Sequence, residues 1–412
     1  MSVGSRPMVI AGAGCAGLSL AVRLVEAEES RQIIVFDPRS GYHSDRTWCF
    51  WRLEEHPFES CVEHQWARWT LQHRGRRVVC SSQRHPYQCI PASAFYDSAL
   101  ETLAAAPNVE LHLETPVRAV SGSPSGVQVE TSKGILDAAL CFDSRPPEPT
   151  DGTLLQHFEG WEIRSAKPVF DPSTAVLMDF RQAPLAQTAP SQRAWPPEAG
   201  KEDIFFLYLL PFSPTRALIE ATFFSLTPQP AEVYERALRT YLQEVLAVDS
   251  YELLRTERGV LPMGDLRPTV DQSTIPGTAS RHLSLGSAAG CIRPSTGYGF
   301  LGIQRQCARI SDLVTSQLGE PQALVPPAIW SPRARWMDRV FLDFLKRHPA
   351  EAGEAFLRLF ERAPSSSVVR FLGDRQSLRD TWQVIRAMPS GRFAAAGIRT
   401  LLGTGKERAD AA

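Results

Sequence analysis

The 412-residue sequence lacks several features that would place it in particular classes of protein. No apolar run reaches the ~20 residues that a membrane-spanning helix needs, and no signal peptide opens the chain, so we expect a cytoplasmic protein. The formal net charge is only −1, which gives no overall field for binding nucleic acid. No internal repeat or low-complexity segment is found. The length then allows two domains, or one large domain with a cap.

The eight cysteines indicate neither a disulfide framework nor a metal site. They form no C-x-x-C pair and no spacing typical of metal ligands. We therefore predict reduced, mostly buried thiols and no bound metal. Nothing in the sequence predicts an oligomeric state.

The order of apolar segments predicts an α/β fold with a Rossmann-like dinucleotide-binding domain, a β-rich substrate domain and a helical C-terminal region. Residues 8–37 are typical of a strand, a tight turn, a helix and a second strand. Segments 204–210 and 216–225 are apolar and strand-like. We place the domain segments at residues 1–145 (dinucleotide-binding, first part), 146–270 (β-rich), 271–325 (dinucleotide-binding, second part) and 326–412 (helical).

A glycine fingerprint lies between the first strand and the first helix. Gly12, Gly14 and Gly17 fit G-x-G-x-x-G, in which the glycines allow a tight turn, close approach to a pyrophosphate and helix packing. Asp37 ends the second strand, where an acid would bind ribose hydroxyls. The alternative is a helix whose glycines serve packing only. We predict a bound dinucleotide.

A second glycine-rich region favours FAD over NAD as that dinucleotide. Residues 286–290 follow an apolar strand, although Ser287 stands where many FAD proteins carry Asp. Residues 296–299 open a helix whose dipole would favour a reduced, anionic flavin. An ordinary glycine-rich turn is the alternative. This region adds to the predicted cofactor site Gly286, Gly290, Thr296, Gly297 and Gly299.

One carboxylate is embedded in an otherwise apolar strand. Glu220 shares a strand face with Leu218 and Thr222 in segment 216–225. Burial disfavours the charged form of a carboxyl group and raises its pKa, which makes Glu220 a candidate general acid. The alternative is a strand-edge glutamate paired with an arginine such as Arg216 or Arg305.

Aromatic side chains are concentrated in residues 44–51 (SDRTWCFW). Trp48, Phe50 and Trp51 could surround a large, apolar, electron-deficient group. The alternative is that these rings belong to the ordinary core and that Asp45 and Arg46 form a surface ion pair.

Four of these segments together resemble motifs of the bacterial lycopene cyclases. They are residues 45–51 (DRTWCFW), 218–225 (LIEATFFS), 294–298 (PSTGY) and 337–342 (MDRVFL), with Tyr208 and Pro211 at the family's distance before the second. The resemblance covers residues 8 to about 395. Plant and cyanobacterial relatives carry an acidic residue directly after the glutamate, whereas this chain has Ala221.

The resemblance implies a redox-neutral isomerase of carotenoid biosynthesis. It would close the ψ-end groups of lycopene, or of a related acyclic carotenoid, into β-ionone rings with reduced FAD, and NAD(P)H is a possible reductant. Glu220 would be the catalytic acid. The substrate pocket would contain Asp45, Arg46, Trp48, Phe50, Trp51, Thr222 and Tyr298. A flavin monooxygenase or dehydrogenase on an aromatic or polyene substrate has the same fold signals and is the main alternative, and a non-catalytic carrier is a further one.

The C-terminal region is basic and aromatic. From residue 333 to residue 412 there are 15 Lys and Arg residues against 9 Asp and Glu residues. Trp336, Val340 and Phe344 lie on one helical stripe beside Arg335 and Arg339, and an apolar pattern recurs at 356–360. Such a helix suits an anionic membrane surface, and we expect peripheral membrane association. A helix packed on the core with its basic face in water is the alternative.

Overall fold

The computed structural model describes residues 6–123, 126–146, 152–181, 203–264, 279–317, 322–325 and 328–409. In these ranges the strands, in chain order, are β1 (Met8–Ala11), β2 (Ile33–Phe36), β3 (Thr47–Trp51), β4 (His64–Trp66), β5 (Arg68–His73), β6 (Arg76–Ser81), β7 (Tyr87–Pro91), β8 (Val109–His112), β9 (Val117–Ser123), β10 (Gly126–Thr131), β11 (Gly134–Ala138), β12 (Leu140–Asp143), β13 (Leu154–Ser165), β14 (Thr174–Asp179), β15 (Ile204–Pro211), β16 (Arg216–Ser225), β17 (Tyr251–Met263) and β18 (His282–Ser284). The α-helices are α1 (Cys15–Glu26), α2 (Ala92–Ala104), α3 (Ala231–Thr240), α4 (Phe300–Thr315), α5 (Pro332–Arg347), α6 (Ala352–Arg362), α7 (Ser365–Leu372), α8 (Leu378–Ala387) and α9 (Ser390–Ala409).

A five-stranded parallel sheet forms the Rossmann-like part, in the order β18-β12-β1-β2-β8. Strands β1 and β2 are buried at every position, as expected for apolar strands covered on both faces. Helices α1 and α4 pack against each other beside this sheet. The predicted strand, turn, helix and strand at residues 8–37 and the helix after residue 299 are thus confirmed, as is the Rossmann-like α/β fold class.

A seven-stranded sheet forms the second layer, in the order β17-β13-β16-β15-β14-β5-β6. Its neighbouring strands are antiparallel except for the parallel pair β14 and β5. One face packs against α3 and the other contributes to the core shared with the C-terminal helices. Because β5 and β6 precede residue 145, this sheet is not built from one continuous segment. The domain limits at residues 145, 270 and 325 stay predictions.

The C-terminal region is helical, as predicted, but its apolar stripe is buried. Helix α5 begins at Pro332, where the Ser331 hydroxyl caps the helix by accepting a hydrogen bond from the Ala334 amide at 3.1 Å. The side chain of Phe344 lies in the core shared with the seven-stranded sheet, as do apolar residues of α6, whereas Trp336 and Val340 line a cavity of the protein. Val340 and Phe344 are thus buried within the protein, and membrane association stays a prediction. In the described part of the chain, we find no helix with the length and apolar character to cross a membrane.

Candidate active site

A cavity of about 1610 Å³ joins the three parts of the fold. Its lining includes the glycine turns beside the parallel sheet, one face of the seven-stranded sheet and side chains from α5 to α9. Apolar and aromatic residues dominate the wall formed by the large sheet and the helices, whereas Gly12, Gly14, Gly297 and Gly299 line the cavity at the glycine turns. Such a cavity could hold a large apolar ligand next to a dinucleotide.

The first glycine turn is shaped for close approach of a ligand. Gly12 has φ +94°, a conformation that favours glycine. A Cβ on Gly17 would lie 1.9 Å from the Gly12 carbonyl oxygen, so Gly17 is needed where α1 packs on the turn. A Cβ on Gly14 would meet only Arg39, at 3.9 Å, because Gly14 faces the cavity. The turn therefore leaves room at Gly14 and the first amides of α1, as a pyrophosphate requires.

Asp37 lies where the fingerprint predicts it, at the end of β2 and in the cavity lining. Its carboxylate accepts hydrogen bonds from the backbone amides of Ala13, at 2.6 Å, and Arg39, at 2.9 Å. The Arg39 side chain also pairs with it, at 2.8 Å. Asp37 thus fixes the glycine turn and presents an acid at the edge of the cavity.

The second glycine-rich region divides into two parts. Gly286 and Gly290 lie behind the cavity lining, and a Cβ on Gly286 would approach Ala16 of α1 to 2.5 Å. Thr296, Gly297 and Gly299 line the cavity, and Gly297 has φ +72°. Gly299 directly precedes α4, so the N-terminus of that helix points toward the cavity. Both glycine regions fit a dinucleotide, because side chains at these positions would fill the space or break the turns.

The aromatic strand β3 contributes only part of its side chains to the cavity. Trp48 and Trp51 line it, and the Trp51 ring lies 5.3 Å from the ring of Tyr298, measured between centroids. Phe50 is buried outside the lining, stacked on Phe300 at 4.7 Å. The prediction of Phe50 as a pocket residue is thus corrected, because its ring packs against Phe300 in the core of the Rossmann-like part. Thr47 and Cys49 line the cavity instead.

Asp45 and Arg46 form the partly exposed ion pair that the sequence left as an alternative. The Arg46 guanidinium donates to the Asp45 carboxylate at 2.7 Å, and both side chains retain substantial exposure. Arg46 reaches the lining of the cavity, but Asp45 does not. Asp45 therefore acts on the site only through its partner.

Glu220 lies on β16, between β13 and β15, with its side chain directed into the cavity. Thr222 and Phe224 share that face, whereas Ile219 and Ala221 face the separate core under α3. Burial, followed by the neighbouring carboxylate of Glu257, raises the pKa of Glu220 well above its usual range. The raised pKa favours the protonated form of this carboxyl group.

The ion-pair alternative for Glu220 is not what the structure shows. Arg216 pairs with Glu63 at 2.7 Å and with Glu162 at 2.6 Å. Arg305 pairs with Glu54. Glu220 is also on a central strand rather than an edge, so neither arginine neutralises it.

The sequence did not single out the second carboxylate at the site. Glu257 lies on β17 and is buried. Its Oε2 accepts hydrogen bonds from Arg255 Nη1 at 2.5 Å and from the Thr47 hydroxyl at 2.9 Å. Only the fold brings Glu257 to Glu220, because the two belong to strands on either side of β13. Thr47 belongs to the motif at residues 45–51, and that motif was the signal in the sequence that pointed to this cluster.

Three tyrosines form a hydrogen-bonded group beside Glu220. The Tyr87 hydroxyl lies 2.8 Å from that of Tyr208 and 3.2 Å from that of Tyr298. Tyr208 is paired directly opposite Glu220 on β15. Burial raises the pKa of all three hydroxyls, so the group stays neutral and can donate hydrogen bonds. Tyr298 was predicted at the site, whereas Tyr87 was not.

Sequence comparison identifies the group of proteins to which this arrangement belongs. The family model described as "Lycopene cyclase protein" matches residues 7–396. This chain belongs to the lycopene cyclase family. It is 26% identical over 407 residues to a lycopene beta-cyclase of Pantoea ananas, covering 93% of this chain and 94% of that protein. A lycopene beta-cyclase of Paracoccus sp. is 23% identical over 410 residues, with the same coverage of 93% and 94%. The resemblance predicted from the sequence is confirmed, as is the prediction of an enzyme of the lycopene-cyclase type.

Solved structures share the fold at low sequence identity. A flavoprotein/dehydrogenase from Cytophaga hutchinsonii matches with a TM-score of 0.61 and 11% identity, covering 97% of this chain and 99% of that one. A Klebsiella pneumoniae HpxO variant complexed with FAD matches with a TM-score of 0.57 and 13% identity, covering 94% and 100%. At this low identity, the similarity shows that the chains share a fold and says nothing about a shared activity.

Proposed function

We propose that this enzyme closes the ψ-end groups of lycopene, or of a related acyclic carotenoid, into β-ionone rings without net oxidation or reduction. The observation that carries the proposal is Glu220, a carboxyl group with a raised pKa that opens on a large apolar cavity. A protonated acid in such surroundings can transfer its proton to an alkene, which binds in the cavity because it is apolar.

Ring closure then requires one proton in and one proton out. Glu220 donates its proton to the terminal double bond of the substrate, which leaves a tertiary carbocation on the substrate and a carboxylate on Glu220. A neighbouring double bond of the polyene attacks that carbon, a carbon–carbon bond forms, and the positive charge moves into the new ring. Loss of a ring proton gives the ring double bond. Atoms and electrons balance without an oxidant, so the reaction is an isomerisation.

The cavity wall supports this scheme in two ways. The ring faces of Trp48, Trp51 and Tyr298 can stabilise a cation by cation–π interaction. Apolar side chains from β15, β16 and the C-terminal helices exclude water, which would otherwise trap the cation as an alcohol. The same wall suits a long hydrocarbon.

We infer that the cofactor is FAD, held at the glycine turns by Gly12, Gly14, Gly17 and Asp37. Thr296, Gly297 and Gly299 would lie at the ring-bearing part, whereas Gly286 and Gly290 are outside the lining and Gly286 packs against Ala16 of α1. The Klebsiella pneumoniae protein of the same fold was solved complexed with FAD, which supports this choice. In its reduced, anionic form the flavin would supply negative charge near the cationic centre. NAD(P)H is the reductant that we infer, and ring closure does not consume it.

A flavin monooxygenase or dehydrogenase remains the competing activity, since those enzymes share this fold. Family membership and the raised pKa of Glu220 favour cyclisation. Hydroxylation or dehydrogenation would not require a general acid embedded in an apolar sheet. Redox stoichiometry separates the two activities.

We propose that the enzyme works at a membrane surface and docks there through α8 and α9. Their exposed apolar residues are Leu378, Trp382, Ile385, Ile398 and Leu401. Ile385, Ile398 and Leu401 also line the cavity, so the apolar patch is continuous with its interior. Arg379 and Arg386 are exposed on α8 and would face anionic lipid. An apolar substrate could then pass from the bilayer into the cavity without crossing water.

Anaerobic turnover in D₂O tests the proposed reaction. Purified enzyme, FAD, a reductant and lycopene in liposomes should yield a cyclic product that carries deuterium from the solvent. The NAD(P)H consumed should not scale with the product formed. Hydride from labelled NAD(P)H in the product, or a strict need for oxygen, would refute the cyclase assignment.

A further inference from the structure

Building on the proposed function, we propose that Glu257 is a positioning residue that shares the catalytic proton of Glu220. The absence of a side chain at Gly160 leaves the space in which the two carboxyl groups meet. Nothing in the quoted motifs contains Glu257 or Gly160.

Sheet register brings the two side chains together. Gly160 on β13 is paired with Glu220 of β16 on one side and with Glu257 of β17 on the other. Residues directly opposite each other in a sheet have their side chains on the same face. A Cβ on Gly160 would lie 3.0 Å from the Cγ atoms of both glutamates. The missing side chain at Gly160 thus leaves the space into which both glutamates lean.

The surroundings of the pair place the shared proton on Glu220. Arg255 and Thr47 both donate to Glu257, and the Arg255 guanidinium forms an ion pair with its carboxylate at 2.5 Å. Thr47 is itself held by Arg255, whose Nη2 donates to the threonine hydroxyl at 2.8 Å. A hydrogen bond between two carboxyl groups requires a proton on one of them, and Glu220 lacks comparable donors among the described residues. Glu220 is therefore the acid, and Glu257 is the acceptor that orients it.

The charge on Glu257 keeps Glu220 protonated at higher pH. Besides burial, the charge on Glu257 and the hydrogen bond that Glu220 donates to it raise the pKa of Glu220, whereas Arg255 lowers it. The other titratable side chains that interact electrostatically with Glu220 from the neighbouring elements are Cys49, Tyr208 and Tyr298. Burial raises the pKa of these three groups, so they remain neutral near pH 7 and the carboxylate of Glu257 dominates.

The test is the pH dependence of cyclisation in a Glu257→Gln variant. The wild-type rate should fall on the alkaline side as Glu220 loses its proton. Removing the negative charge of residue 257 should lower the pKa of Glu220 and so move this alkaline limb to lower pH. At a pH above the limb, the rate should fall about tenfold for each unit by which that pKa is lowered. Below the limb the rate should change little. A uniform loss at every pH, or an unmoved limb, would overturn the proposal.

Gly160→Ala is a second variant that leaves all charges in place. The added Cβ must push the two glutamates apart, so the alkaline limb should move in the same direction by a smaller amount. This variant keeps the proposal testable if Glu257→Gln does not fold. Glu159→Gln is the matched control, because Glu159 is on the same sheet but pairs with Arg258 on the opposite face and should leave the limb in place.

The outcomes separate this proposal from the proposed function. If wild-type enzyme does not cyclise lycopene, or if Glu220→Gln remains active, the proposed function fails. If Glu220→Gln is inactive while neither Glu257→Gln nor Gly160→Ala moves the limb, only the role of Glu257 is refuted.

Discussion

The two ends of the cavity are built by different means. The dinucleotide end depends on backbone conformation, because Gly12 has a positive φ, Gly17 lets α1 pack on the turn, and Gly14 leaves room for a ligand. The acid end is made from side chains of three strands, with Glu220 and Glu257 meeting over Gly160. Local sequence determines the first end, whereas sheet register determines the second.

This difference predicts different responses to substitution. At the dinucleotide end, added side-chain volume should displace the cofactor. At the acid end, volume is less important than the proton and the charges that hold it. Each end then has its own readout, flavin retention for one and rate against pH for the other.

The largest effect is expected from Glu220→Gln. Glutamine keeps the shape and hydrogen bonding of the side chain but cannot protonate an alkene, so cyclisation should fall by about 10²- to 10⁴-fold or more. Flavin content and melting temperature should remain near the wild-type values. Product formation from lycopene by purified enzyme is the measurement.

Glu159→Gln makes the same chemical change on the opposite face of the sheet. It should retain most of the activity. If the two variants lose activity equally, the effect of Glu220→Gln is structural and the acid assignment is wrong.

Two glycine substitutions should disturb the dinucleotide end in different ways, one by weakening FAD binding and the other by lowering stability. Gly14→Val adds volume toward the cavity at a φ of −81°, which valine can adopt, so the chain should fold but bind FAD at least about tenfold more weakly. Gly17→Ala would force a Cβ against the Gly12 carbonyl and should lower the melting temperature. Flavin titration and thermal denaturation of both proteins distinguish these outcomes.

Gly122→Val serves as the control for the glycine pair. It lies on β9, where a Cβ would meet only Val127 at 4.0 Å. Flavin binding should be unchanged in this variant. Normal flavin retention in Gly14→Val would contradict the placement of the cofactor.

The contrast between the two ends also explains how much the sequence could predict. The fingerprint at residues 12–17, Asp37 and the flanking strands and helix are local patterns, and the structure contains all of them. The cavity-facing position of Glu220 follows from simple alternation along β16. Both inferences need only neighbouring residues.

Glu257 could not be predicted in the same way. Strand β17 is an edge strand with charged residues on both faces, so residues 251–263 show neither a continuous apolar run nor a clean alternation. Only its pairing with β13 identifies Glu257 as a neighbour of Glu220. Phe50 was mistaken for a pocket residue because apolar side chains in a core and in a binding site look alike in a sequence.

The smallest effect is expected at the exposed apolar patch of α8 and α9, which is part of neither end. Trp382→Ser should weaken adsorption to anionic vesicles by roughly tenfold, because the indole ring is 60% exposed and its burial in lipid contributes about 1.5–3 kcal/mol at most. Ile135→Ser, an equally exposed apolar site on β11, should not weaken it.

Added salt should weaken wild-type binding, since ions screen exposed charges beyond about 8–10 Å. Flavin content and the pH profile in detergent should be unchanged in Trp382→Ser. Equal vesicle binding by both variants would place the membrane contact elsewhere on the molecule.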